Sequence, residues 1–186
     1  MAALRIAGIP SSLRKNAFST GLLRAAVEVA PPELEISIAD ISSFPLFNQD
    51  DESHPPESVR GFKALVAASD AVLFALNEHD FSISAALKNA IDWGARPYLE
   101  NVWKGKPAGL MSSSIGRAGG LRARYQLRQM FVWLNGFPID QPGVSVPFAP
   151  KGFDDSGKLI DEPSRKFIAD HLTELARFTR QLRAPV

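Results

Sequence analysis

Residues 71–93, AVLFALNEHDFSISAALKNAIDW, constrain the fold of this chain more than any other stretch. A β-compatible apolar run over 71–76 gives way to the polar turn Asn77, Glu78, His79 and Asp80, and a helix-compatible pattern begins near Ser84. Strand, turn and helix thus follow one another without a break. In an open parallel sheet, ligands settle at the carboxyl ends of the strands, because loop amides and helix amino termini converge there. Chemistry is therefore expected at residues 77–84.

The same alternation runs through the rest of the chain. A first strand is predicted over 4–8 and a turn over 9–16, then a helix over 18–30 in which Leu22, Leu23, Ala26 and Val27 share a face. Pro31 and Pro32 stop that helix. Residues 35–40 alternate like a second strand, and a long loop over 41–55 holds the acidic run Asp50, Asp51, Glu52. The next helix opens at Pro56, with Val59, Phe62, Leu65 and Val66 at helical spacing. A fourth strand over 107–112 leads into the Ser/Gly-rich turn 113–120, and a helix over 121–135 stops at Gly136. A fifth strand is expected around 139–146, weakened by Pro142 and Gly143 and so placed at an edge or bulge. Residues 147–157 read as loop. Pro163 opens a last helix with Phe167, Leu172, Leu175 and Phe178 as its buried stripe. Five strand–helix alternations, without composition break or internal repeat, predict one α/β domain over residues 1–186. The expected form is a flavodoxin-like three-layer sandwich around a five-stranded parallel sheet of order 2-1-3-4-5.

Composition narrows the partners. With 21 basic and 20 acidic residues the formal charge is +1, so no overall field favours nucleic acid or an anionic membrane, and neither is expected as a partner. The absence of cysteine excludes a disulfide framework, a thiolate metal site and a cysteine nucleophile. The apolar stretch at the amino terminus is too short for a signal peptide, and no later run reaches transmembrane length, so a soluble cytoplasmic protein is expected.

Three turns carry the candidate chemistry. The first places the hydroxyls of Ser11, Ser12 and Ser19 with Arg14 and Lys15 just before a helix. A phosphate there would receive backbone amides, hydroxyl hydrogen bonds and a cation together; a Ser-capped helix with two solvated cations fits the same residues. The third turn, SSIGRAGG over 113–120, would let backbone approach a flat ligand, yet no GxGxxG or Walker A pattern is complete. In the second, Glu78, His79 and Asp80 stand far in sequence from His54 and His171 and match no zinc or calcium spacing, so a cofactor-lining turn is expected rather than a metal site.

Taken together, these residues resemble the NAD(P)H-dependent FMN reductases, a family that includes bacterial chromate and quinone reductases. The resemblance runs through Ser12-Leu13-Arg14-Lys15, Ala39-Asp40-Ile41 with Pro45-Leu46-Phe47-Asn48, Leu87-Lys88-Asn89-Ala90-Ile91-Asp92-Trp93, Gly105-Lys106-Pro107, and Gly119-Gly120-Leu121-Arg122-Ala123 with Leu127-Arg128. It implies that Ser12, Arg14 and the helix start at Phe18 and Ser19 hold the FMN phosphate. Asn77, Glu78, His79, Asp80 and Ser82 would run beside the isoalloxazine ring, and Ser113, Ser114 and Gly116 would close its other edge. NADPH or NADH would serve as co-substrate, a quinone or similar small molecule as electron acceptor, and no catalytic side chain is required because the cofactor carries the chemistry. Such proteins assemble as homodimers or homotetramers; Arg122 and Tyr125 match interface positions, with Glu78 as the opposing carboxylate. Two other readings are a flavodoxin-style electron carrier, which the near-neutral charge disfavours, and a degenerate family member acting only as an interaction protein.

The chain departs from the family pattern inside the binding turns. Ser11 replaces a glycine, Ala17 a serine and Ser19 an asparagine in the first turn, while the usual Pro-Glu-Tyr-Asn becomes Asn77-Glu78-His79-Asp80.

Overall fold

A computed structural model describes residues 3–139 and 141–183. Strands β1 (Leu4–Pro10), β2 (Leu34–Ile38), β3 (Ala71–Asn77) and β4 (Pro107–Ser113) are parallel and lie in the order β2-β1-β3-β4. Two short strands, β5 (Phe137–Pro138) and β6 (Val144–Val146), both pair with β4 in parallel and share the fifth place. The single strand expected over 139–146 is therefore divided. Pro142 has no N–H to donate to a ladder, so the chain leaves β4 between the two pieces and rejoins it only at Val144.

The sheet is covered on both faces, which is why β3 and β4 read as nearly continuous apolar runs. Alternate β3 residues point to opposite cores. Ala71, Leu73 and Ala75 meet α1 (Phe18–Val29) and α6 (Glu162–Arg183) through Leu22, Leu23, Ile168, Leu172 and Leu175. Val72, Phe74 and Leu76 meet α2 (Glu57–Ala68), α3 (Ala85–Gly94) and α4 (Leu121–Leu134). At the centre of this second layer, the Phe74 ring lies 5.7 Å from Trp103 and 5.5 Å from Phe131, the latter edge-on.

Three local expectations change. Residues 147–157 contain a short helix, α5 (Ala149–Gly152). On α6 the buried stripe is Ile168, Leu172, Leu175 and Ala176, while Phe167, expected inside, is 54% exposed because it precedes the stripe by one residue and faces outward. Val27 on α1 is likewise exposed. Gly21 is required by close approach: a Cβ there would stand 2.1 Å from the Gly157 carbonyl oxygen and 2.8 Å from the Phe153 ring. That contact presses the 153–157 loop onto the start of α1. Among the described residues no helix is long and apolar enough to cross a membrane.

Candidate functional site

β1, β3 and β4 end along one rim, with Ala75 beside Pro10 and Ser113 beside Asn77 in the ladder. The three turns that follow them therefore leave from a common edge. In the first, the Ser12 hydroxyl accepts from the Arg14 N–H at 3.2 Å. Helix α1 then starts behind Ala17, whose side chain offers no capping oxygen, so its first amides have no side-chain acceptor. The Ser19 hydroxyl is fully buried and has no hydrogen-bond partner among the described residues. The Phe18 ring packs on Phe153 at 4.8 Å, which leaves its backbone as the part available to a ligand. Arg14 is exposed and, with Ser12, Lys15, Thr20 and Asp40, lines a cavity of about 300 Å³ on the β2 side of the turn. Hydrogen bonds from Ser42 hold the Asp40 carboxyl below its ordinary range. Neither Glu78 nor Ser114 belongs to that wall, so the structure does not gather Arg14 with them around one cavity.

The second turn is tied to the first by Ser11, a buried residue. Its hydroxyl accepts from the Asn77 N–H at 2.8 Å and donates to Asn77 Oδ1, and the Ser84 hydroxyl donates to its carbonyl. Ser84 Oγ also caps α3, accepting from the Leu87 N–H at 3.2 Å. Between these points, His79 and Ser82 exchange backbone hydrogen bonds of 3.0 and 2.7 Å around Asp80 (φ 50°) and Phe81 (φ 64°). Two consecutive left-handed residues make this a type I′ turn built without glycine, which external contacts must hold. α4 supplies them. Gln126 Oε1 accepts from Ser82 Oγ at 2.7 Å and from the Ile83 N–H at 2.8 Å. Glu78 accepts from the Arg122 backbone N–H at 3.0 Å and its guanidinium at 2.9 Å, and that guanidinium lies 4.1 Å over the Phe81 ring. The carboxylate expected opposite Arg122 across a subunit boundary thus meets it within the chain. Tyr125, one turn further along α4, is exposed.

In the third turn Ser113 is buried with an unpartnered hydroxyl, while Ser114 Oγ donates to the Gly116 carbonyl at 3.2 Å. Gly119 and Gly120 have φ of 59° and 81°, and a Cβ on Gly120 would lie 2.9 Å from that of Ser112, so the fold needs both glycines. Gly116 is different: a Cβ there would meet nothing nearer than 3.9 Å. It stands beside open space.

Sequence reading missed what Ser11, Ser84 and Gln126 do, because their partners lie 66, 73 and 44 residues away along the chain. It also left Asn89 and Trp93 without a stated role beyond packing. Both hold the loop before α2: Asn89 accepts from the Phe47 N–H at 2.7 Å, and Asn89 Nδ2 and Trp93 Nε1 donate to the Pro45 carbonyl at 2.8 and 2.9 Å. The two motifs of 45–48 and 87–93 are therefore one structural unit.

The rim offers an uncapped helix start and open backbone at Gly116, and the hydroxyls of Ser19 and Ser113 are buried without partners among the described residues. Among the described residues, no cluster of three His, Cys, Asp or Glu could hold a metal. Such a donor set suits a ligand with a phosphate and a flat polar body.

The family model for NADPH-dependent FMN reductase matches residues 4–151. An NAD(P)H-dependent FMN reductase of Pseudomonas aeruginosa is 39% identical over 181 residues, covering 97% of each chain. An NADPH:quinone oxidoreductase of Arabidopsis thaliana is 41% identical over 187 residues, covering 96% of this chain and 93% of the plant protein. The solved structure of a flavoenzyme NAD(P)H:(acceptor) oxidoreductase from Paracoccus denitrificans superposes with a TM-score of 0.87 at 29% identity, over 96% of this chain and 98% of that one.

Proposed function

Because this chain belongs to the NADPH-dependent FMN reductase family, we propose that FMN sits on the rim formed by residues 11–19, 77–84 and 113–120. The activity is that of an FMN-dependent NAD(P)H oxidoreductase reducing quinones. Once bound, FMN would supply the redox chemistry, hydride acceptance from NADH or NADPH and electron delivery to a quinone or similar small acceptor. The protein binds, orients and shields. In this reading the amides of Phe18 and Ser19, with the hydroxyls of Ser12 and Ser19, hold the phosphate, and Arg14 swings from its side cavity to add a charge-assisted contact. The type I′ turn, with Asn77, Glu78, His79, Asp80 and Ser82, borders the ring on one side, Glu78 and Ser82 by holding the turn to α4. Ser113, Ser114 and Gly116 border the other.

One observation carries this assignment: α1 starts at the rim with no side-chain cap on its first amides, beside the exposed Arg14. An uncapped helix amino terminus is a ready anion site, because its backbone N–H groups and the helix dipole both favour negative charge. The exposed Leu99, Tyr125, Val132 and Trp133 support assembly into a homodimer or homotetramer. The test is to load purified protein with FMN, record the visible flavin spectrum, and follow nicotinamide oxidation with a benzoquinone. Saturable FMN binding and quinone-dependent oxidation are expected; a protein that takes up no FMN overturns the assignment, and sedimentation equilibrium reads the assembly.

A further inference from the structure

His79 is the one imidazole on this rim, and its orientation follows from bonds that begin two side chains away. Its Nε2 lies 3.1 Å from Asn77 Nδ2. The direction of that bond is decided at Ser11. There the Asn77 backbone N–H donates to the hydroxyl oxygen at 2.8 Å, so the hydroxyl proton is the group left to meet Asn77 Oδ1. With Oδ1 turned to Ser11, the Nδ2 amide, which has only hydrogens to offer, faces the ring. His79 Nε2 must accept, and a neutral ring whose Nε2 accepts carries its proton on Nδ1. That Nδ1 has no partner among the described residues, and the ring is exposed at the rim. Of the charges around it, Glu78 is committed to Arg122, and Asp80 lies on the exposed tip of the turn.

We propose that Ser11 and Asn77 are positioning residues that fix His79 as the Nδ1–H tautomer, so that the rim presents one hydrogen-bond donor to a ring carbonyl oxygen, of the flavin or of the quinone. The proposal rests on the reading of this rim as the FMN site. The relay belongs to this chain's own residues. A glycine at 11 has no hydroxyl and a proline at 77 has no N–H, so the usual family residues at these positions cannot build it. Ser11, Asn77 and His79 are three departures from the family pattern that are bonded to one another. They act as one unit.

The first measurement needs no ligand. In ¹⁵N-labelled protein at mildly alkaline pH, the His79 ring, assigned by its loss in H79Q, should show a protonated Nδ1 and a bare Nε2. Asn77→Asp keeps the shape and the Oδ1 contact but replaces the amide donor by an acceptor, and should move the proton to Nε2. A native ring protonated at Nε2, or a tautomer unmoved by N77D, overturns the relay. The second measurement uses His79→Phe, with FMN affinity read by fluorescence quenching and quinone KM by steady-state rates. Roughly tenfold weaker FMN binding at unchanged KM identifies the flavin carbonyl, and a roughly tenfold higher KM at unchanged FMN affinity identifies the acceptor's, each being the loss of about one hydrogen bond. If the native protein binds FMN and H79F changes neither quantity, the donor role is overturned. A native protein that binds no FMN overturns the rim reading instead, while the tautomer measurement still judges the relay by itself.

Discussion

Replacing Ser19 by alanine distinguishes a ligand-binding hydroxyl from a merely buried one, because the two roles predict opposite signs. Ser19 lies in the first turn of α1, its side chain is fully buried, and its Oγ has no partner. A buried hydroxyl without a hydrogen bond costs about 1–3 kcal/mol, and alanine is also the better helix former by a few tenths. The cavity left by one oxygen takes back part of that gain. Ligand-free S19A should therefore be more stable than the native protein by about 1 kcal/mol, a rise in Tm of about 2–4 °C for a chain of this size. In the loaded protein the balance reverses. Ser19 Oγ has no accessible surface in the ligand-free fold, so loading must open the first turn of α1; the lost bond then runs to a charged phosphate oxygen and is worth about 1.5–3 kcal/mol, so FMN affinity should fall about 10- to 100-fold.

Two assays suffice: urea unfolding of the ligand-free proteins followed by circular dichroism, and FMN titration followed by flavin fluorescence. An unchanged urea m-value would show that both proteins unfold over the same surface. If ligand-free S19A is less stable than native, the hydroxyl has a partner within the fold and the argument fails at its first step. If S19A is stabilised yet binds FMN as tightly as native, the phosphate lies elsewhere.

Three other changes test separate parts of the structure. Arg14→Ala removes an exposed side chain and should leave stability unchanged while raising the FMN dissociation constant roughly tenfold; unchanged affinity would assign Arg14 to the side cavity it shares with Asp40. Burial, with repulsion from Arg124 and Arg128, pushes His171 down to about 4 against the opposing pull of the Pro142 carbonyl and Glu174. The folded protein therefore stays neutral there while the unfolded chain takes up a proton below its ordinary value near 6.5. About 3 kcal/mol should be present above pH 6.5 and lost as the pH falls from about 6.5 to about 4, with no further loss from this group below that. His171→Gln should flatten that part of the stability profile measured by urea unfolding, and an equally steep profile in the variant would refute the assignment. Gly21→Ala drives a methyl into the Gly157 carbonyl and the Phe153 ring and should cost about 1–3 kcal/mol, with increased proteolysis of the 153–157 loop; a neutral effect would mean that the loop yields freely.

The layers were legible because they are written in periodicity. β3 alternates between two cores residue by residue, and the apolar spacing on α2 and α3 reads directly as one covered face. The fifth strand was only half legible: Pro142 signalled trouble, but two short pieces pairing with the same neighbour are set by where the chain can re-enter the ladder. Phe167 was misplaced for a related reason, since one residue of phase on a helix carries a side chain through about 100°. The site was legible as three turns and illegible as a network. Serine, asparagine and glutamine have no periodicity, and whether Ser11 meets Asn77 or solvent depends on strand register.

That network separates the polar groups on the rim that are bonded within the fold from those that are not. Glu78, Ser82 and Ser114 were expected to meet the ligand and Ser84 stands beside them, yet each is committed: Glu78 to Arg122, Ser82 to Gln126, Ser84 to Ser11 and Leu87, Ser114 to Gly116. Glu78 and Ser82 hold a turn whose left-handed residues would not stand alone. Among the described residues, the amides at the uncapped start of α1 have no side-chain cap, and the hydroxyls of Ser19 and Ser113 and the outer nitrogen of His79 have no partner. Replacing a committed residue should loosen the turn and weaken every ligand together, whereas replacing a leftover group should change one contact and leave the apo structure intact. Residue type cannot make that separation, since a serine is found in each class; only the partner of each oxygen does.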